Sequence, residues 1–167
     1  MWKRVAEKFA DFPARIAVAR KIVECGLRVA ADGRVLCGDV EVKEVSLAKA
    51  AGVDRRAVSA TVGAIVRDRE LARVFENILP AGGLLKNVAH LLGFGVVEIE
   101  AQASKGGIIA AASTLLAKSR ISIRQLHAED PELFENPKMT IITERPVPGK
   151  LLNEFLKIRG VTKVSVS

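Results

Sequence analysis

Ser46-Leu47-Ala48-Lys49-Ala50-Ala51-Gly52-Val53-Asp54-Arg55-Arg56-Ala57-Val58-Ser59 reads as two short helices meeting at a glycine. Helices cross closely only where side chains are small, and Ala48 and Ala51 supply such residues on the first helix. The turn between them needs a residue at ease with positive φ, which Gly52 is. Asp54 precedes the second helix as an N-cap, its carboxylate accepting from the unpaired N–H groups of the first turn. Val53 and Val58 are spaced to plug the angle between the helices, with Val62 and Ile65 or Val66 one and two turns on. Arg55, Arg56, Ser59 and Ala60 are left facing outward near the start of the second helix.

Towards the N-terminus, Trp2, Val5, Ala6 and Phe9 recur at helical spacing. Pro13 stands where a second helix takes its first turn, Ile16, Ala17, Val18, Ile22 and Val23 give it an apolar side, and Gly26 stops it. From Leu27 to Val42 apolar residues alternate with polar ones around Asp32-Gly33, which predicts a hairpin, with a further short strand starting at Gly38-Asp39. Ser46 is placed to cap a helix through Ala51, and Asp54 one that runs to about Arg67. A further helix is expected over Leu71 to Ile78. Pro80-Ala81-Gly82-Gly83 then breaks the chain, and a short helix from Leu84 to Leu92 ends at Gly93.

The second half changes period. Val96 to Ala101 alternates as a strand, with Val97, Ile99 and Ala101 on one face, and Gly106-Gly107 opens a helix to about Ser119. Ile121 to Ala128 and Lys138 to Thr143 read as strands, Pro148 starts a helix that Gly160 ends, and Val161 to Val166 is a last strand. The order strand, helix, strand, strand, helix, strand is the split βαβ, or ferredoxin-like, arrangement. The expected class is α+β: a helical domain with a small β-hairpin at 1–80, a connector helix at 81–94, and a βαββαβ domain at 95–167.

The Ala-Ala-Gly-Val-Asp-Arg-Arg-x-Val-Ser pattern resembles the transcriptional-repressor type of helix-turn-helix. In such proteins the N-terminal end of the second helix enters the major groove of DNA. Arg55 and Arg56 suit bidentate hydrogen bonding to guanine or pairing with phosphate, with Ser59 and Ala60 beside them. Lys49, Arg67 and Arg69 could add phosphate contacts that set affinity without reading sequence. The ordinary alternative is a helical hairpin with solvated arginines. The Leu27–Val42 hairpin could touch the DNA backbone as a wing, but it precedes the motif, and a structural hairpin is the preferred reading.

Glu98 to Ile109 and Leu115 to Ile123 resemble the ACT domain, whose first turn reads Asp-x-Pro-Gly followed by two aliphatic residues. Gly107, Ile108 and Ile109 match, Ser122 stands at an asparagine position in the second strand, and Ser104 and Gly106 replace the aspartate and proline. The resemblance implies an amino acid or related effector at that turn. Ser104, Lys105, Gly106, Gly107, Ile108 and Ser122 are the candidate ligand-binding residues. The turn has its own chemistry, because free N–H groups at a helix start attract a carboxylate and Lys105 adds positive charge. The competing reading is a plain connection within a dimerisation module.

Charge and composition restrict the alternatives. The chain of 167 residues carries a net charge of +7 and a pI near 9.7. Residues 1–90 hold 16 basic against 11 acidic side chains, so the excess sits mostly in the first half. Hydrophobic residues make up 49% but aromatic ones only 4%, so the core must be aliphatic and the sheet lacks the aromatic platform on which RNA-binding sheets stack bases. Cys25 and Cys37 are too few for a disulfide framework and lack zinc-site spacing, so both are expected as reduced thiols. No signal peptide or membrane span is recognisable, which points to a cytoplasmic protein. His90 and His127 stand in no metal or triad pattern, and Glu98 with Glu100 reads as a solvated sheet edge. Neither an enzyme nor a cofactor is expected.

As a whole, the order of the two halves is similar to the predicted archaeal regulators of amino acid metabolism. That resemblance implies a homodimeric or higher homo-oligomeric regulator, paired through the ACT-like domain, with double-stranded DNA and a small-molecule effector as partners. The alternative is an allosteric regulatory partner of a biosynthetic enzyme, acting by protein–protein contact without specific DNA binding.

Overall fold

A computed structural model of the chain describes residues 1–102 and 105–167. The fold is α+β, with two antiparallel sheets, and the chain divides into two compact units, 1–82 and 83–167. No helix among the described residues is long and apolar enough to cross a membrane.

The first unit runs α1 (Trp2–Lys8), α2 (Pro13–Glu24), β1 (Arg28–Val29), β2 (Val35–Cys37), β3 (Val40–Glu41), α3 (Glu44–Ala51), α4 (Arg55–Arg67) and α5 (Arg69–Phe75). Helices α2, α3 and α4 pack on one another, and α5 packs on α4. Val18 and Ile22 of α2, Val58 and Ile65 of α4 and Phe75 of α5 are wholly buried. Burying each such side chain is worth about 1.5–3 kcal/mol. Thr61 is also wholly buried, and its hydroxyl donates to the Ala57 carbonyl at 2.6 Å, so no polar group is left unpaired there.

Three expectations change in this unit. Helix α3 begins at Glu44, not behind a Ser46 cap: Lys43 is extended (φ −65°, ψ 141°) and its carbonyl accepts from Ser46 and Leu47. Ser46 therefore lies inside the first turn. Gly38-Asp39 is the bend between β2 and β3 rather than the start of a strand. The helix expected at Leu71–Ile78 is α5, two residues earlier at its start, because Asp68 caps it by accepting from the Glu70 and Leu71 N–H groups.

The second unit opens with a 3₁₀ helix (Leu85–Leu92), followed by β4 (Gly95–Ala101), α6 (Ile108–Lys118), β5 (Ile123–Ala128), β6 (Lys138–Thr143), α7 (Lys150–Leu156) and β7 (Val161–Val166). The strands lie in the order β5-β6-β4-β7, every neighbouring pair antiparallel. One face of the sheet, with Val97, Ile99, Met139 and Ile141, meets Ala112 and Leu116 of α6 and Phe155 of α7 in an aliphatic core. Alternation sends Glu98 and Glu100 to the opposite face.

The segment expected as a connector α-helix is thus a 3₁₀ helix, a form common in short connections. Its Ala89 packs on Val96 and Ile142 with Leu85 and Phe94. The Gln125 side chain pins its start, accepting from the Leu85 N–H at 2.9 Å and donating to the Gly83 carbonyl at 3.0 Å. Glu98 and Glu100 do not line a sheet edge. They stand on β4, a central strand, where Lys86 pairs with Glu98 and both Lys138 and Lys163 reach Glu100. Local alternation shows which face a residue takes but not how deep in the sheet its strand lies. Strand β5 starts at Ile123, two residues late, because Arg120 takes a positive φ of 53° and the Ile121 N–H turns back to the Leu116 carbonyl.

Candidate nucleic-acid interface and effector pocket

In the first unit, α3 ends in Gly52 at φ 67°, ψ 33°, with the Gly52 N–H donating to the Lys49 carbonyl and the Val53 N–H to the Ala48 carbonyl. The left-handed glycine turns the chain within three residues, and Asp54 starts α4 by accepting from the Arg56 N–H at 2.7 Å. Ala48 is buried where the helices meet, as are Val58, Val62 and Ile65, while Ala51, Val53 and Val66 are half-buried. Arg55, Arg56 and Ser59 lie together on the exposed face of α4, and Ala60 is half-buried beside them.

The two arginines differ in company. Arg56 makes no ion pair among the described residues, whereas Arg55 Nε donates to Glu44 Oε2 at 3.3 Å, and Ser59 Oγ donates to the same oxygen at 2.7 Å. Nothing local in the sequence marks Glu44, which lies 11 and 15 residues before its partners. Lys49 is exposed on α3 and also unpaired among the described residues. Arg67 lies at the other end of α4 and folds along its own helix: a Cβ placed on Gly63 would stand 3.2 Å from its Nη1. Arg67 is thus separated by three turns from Arg55 and Arg56.

The β1–β3 hairpin is built into the core side of α4. Its bend, Gly33 (φ 85°), comes within 3.6 Å of Val62 Cγ1 by the position a Cβ would take, and Val29 is buried. Val29 and Ala31 share a small cavity with Ile65 and Ala72, so this ribbon has a packing role.

In the second unit, a cavity of about 590 Å³ opens beside the turn into α6. Lys105, Gly106, Gly107 and Ile108 form one wall, and Ile99, Ala101 and Met139 supply apolar surface. Gly107 caps α6 at φ 90°. The Gly106, Gly107 and Ile108 N–H groups have no partner among the described residues. Together with the Lys105 ammonium they can receive a carboxylate. Glu129 on the opposite wall accepts from the Lys138 N–H at 2.9 Å and retains capacity for a cationic group, a role for which the turn itself offers no residue.

Of the candidate ligand residues, the cavity gathers Lys105, Gly106, Gly107 and Ile108. Ser104 lies outside the described residues. Ser122 is elsewhere, in a separate depression with Ser113 and Arg120, and its N–H donates to Glu144 Oε1 at 3.1 Å. His90 and His127 are exposed, and no group of three or more His, Cys, Asp or Glu side chains among the described residues is arranged to hold a metal. Cys25 is exposed and Cys37 half-buried, both free thiols. No family model matches the chain, and no curated protein matches it.

Proposed function

We propose that the chain is an effector-responsive, DNA-binding transcription regulator of amino acid metabolism. In this reading the first unit is a helix-turn-helix domain and the second a ferredoxin-like, ACT-like domain that senses an amino acid. The observation that carries the reading is the turn at Gly52. It joins α3 to an Asp54-capped α4 whose first two residues are exposed arginines, the form in which a recognition helix meets the major groove. Lys49 and Arg56, unpaired among the described residues, supply charge for phosphate.

The sensor half of the reading draws support from the strand order β5-β6-β4-β7 and from the cavity at the Gly106-Gly107 turn. Its volume of about 590 Å³ suits a small molecule, with N–H groups and Lys105 for a carboxylate, Glu129 for an ammonium, and apolar walls between them. Pairing of two chains through this unit would present two recognition helices to successive major-groove faces, about 34 Å apart. An effector that binds one arrangement of the pair better than another then alters DNA affinity by the same factor in reverse.

The test is binding to labelled genomic DNA fragments across a salt series, with and without a mixture of free amino acids. The proposal calls for sequence-selective binding that weakens as a power of salt concentration and shifts with one amino acid. Weak, non-selective binding would overturn it in favour of a regulatory partner protein, for which affinity capture of a biosynthetic enzyme is the next step.

A further inference from the structure

Two adjacent arginines begin α4, and the structure treats them differently. Arg56 is free of carboxylates among the described residues. Arg55 is held: its Nε donates to Glu44 Oε2 at 3.3 Å, and that oxygen also accepts from Ser59 Oγ at 2.7 Å. Ser59 lies one turn beyond Arg55 and approaches the Arg55 carbonyl at 3.4 Å. One carboxylate, from the first residue of α3, thus grips the exposed face of α4 at two points. The Glu44 side chain retains only 32% exposure while Arg55 retains 69%, so the carboxylate lies behind the guanidinium and the outer edge faces solvent.

Guanidinium chemistry gives that arrangement a consequence. An arginine can present two parallel N–H donors to the O6 and N7 of guanine either side-on, through Nε and one Nη, or end-on, through both Nη groups. Glu44 occupies Nε, so only the end-on edge is left. The group is planar, and fixing one edge fixes the direction of the other. The rotamer freedom an arginine otherwise loses on binding is already given up. The neighbouring carboxylate also offsets the charge that phosphate would attract, which makes Arg55 a poorer phosphate ligand than Arg56.

We infer that Glu44 is a positioning residue that commits Arg55 to end-on reading of a guanine and leaves phosphate contact to Arg56. The inference rests on the DNA-binding reading proposed above.

The experiment uses the full chain and a site selected from randomised duplex DNA. Affinity is then measured for that site, for variants with each guanine replaced, and for unrelated duplex, over a range of salt. Glu44→Ala should lower the preference for one guanine about tenfold. It should also strengthen binding to unrelated duplex and steepen its salt dependence by about one phosphate contact, because Arg55 becomes free to swing onto the backbone. Glu44→Gln, which can still accept from both donors, should keep most of the preference. Ser59→Ala, which removes one anchor from the solvent side, should lose part of it. Adding Arg55→Ala to Glu44→Ala should cost no further preference at that base pair.

Discrimination left intact by Glu44→Ala, in a chain that does select a sequence, overturns the inference and leaves the DNA-binding reading standing. So does an equal loss of selected and unrelated binding with a lowered melting temperature, which marks Glu44 as structural. A wild-type chain that selects no sequence overturns the DNA-binding reading itself, and this inference with it.

Discussion

Lys8 and Asp68, 60 residues apart, meet in an ion pair while the other oxygen of Asp68 caps α5. One carboxylate thus divides its work: Oδ2 takes the Lys8 ammonium from α1, and Oδ1 accepts from the Glu70 and Leu71 N–H groups. Glu70 extends the contact, pairing with Arg4 and Lys8. The first and last helices of the unit are joined at that point.

The two tasks separate by substitution. Asp68→Ala removes both and should cost about 1 kcal/mol, mostly the cap. Asp68→Asn keeps a good cap and loses the ion pair, and should cost only a few tenths, as exposed pairs do. The Lys8 ammonium, and then the capped N–H groups, hold the Asp68 carboxyl below the usual carboxylate range. Its contribution is therefore complete above about pH 4 and is lost as pH falls through the lower folded-state value. Lys8 is raised by the same hydrogen bond, so its share is complete below about pH 10 and is lost above that. Denaturant titrations of both variants at acid and neutral pH check this: Asp68→Asn should show a shallower acid decline than wild type.

Gly52 and Gly26 offer a second comparison. Both adopt positive φ, 67° and 61°, so any side chain at either meets backbone strain. A Cβ at Gly52 would have no heavy atom within 4 Å, whereas one at Gly26 would stand 2.8 Å from Pro80 Cα. Gly52→Ala should therefore cost about 1–2 kcal/mol, the left-handed penalty alone. Gly26→Ala should cost clearly more, because backbone must also move. Equal losses in urea denaturation would show that the Gly26–Pro80 approach relaxes freely.

These positions also show what the chain discloses one segment at a time. Asp54, Gly52 and the apolar spacing around Val58 are local signals, and α4 spans Arg55–Arg67 with its cap as the residues indicate. The strands at Lys138–Thr143 and Val161–Val166 carry equally local alternation. Ser46 misleads because a serine three residues before the end of a polar run looks like a cap, yet an extended Lys43 can start a helix with no side-chain partner. Glu98 and Glu100 mislead because strand order is a property of the whole sheet. Glu44 under Arg55 and Ser59, and Glu129 across the cavity from Gly107, were illegible for the same reason: each contact is made by folding. No period within an element predicts which carboxylate will face it.

Arg55→Ala combined with Arg56→Ala tests the proposed interface with little risk to the fold, since both side chains are exposed. Each lost base contact should cost about 1–3 kcal/mol of specific binding. The double variant should melt close to wild type, because the Arg55–Glu44 pair is an exposed one. The single variant Arg56→Ala should weaken binding to all sequences alike and flatten the salt dependence by about one contact. Fluorescence anisotropy with selected and unrelated duplexes gives both readings. Undiminished selective binding by the double variant would move the recognition surface away from the start of α4.

Ala110 tests whether the cavity is where an effector acts. It is exposed on the first turn of α6 and lines the cavity, so a larger side chain can enter that space from the helix without disturbing the core around Leu116 and Phe155. Ala110→Trp should fill much of the volume and abolish any amino-acid effect on DNA affinity. Affinity without effector should stay within a factor of about two, since no residue of the proposed DNA-binding surface is altered. Lys105→Ala should act through charge instead, raising the effector concentration needed by about tenfold, the order expected for a lost charge-assisted hydrogen bond. Titration of amino acids against each variant on a fixed DNA fragment distinguishes the two effects. An amino-acid response that survives Ala110→Trp would place the effector at some other surface of the chain.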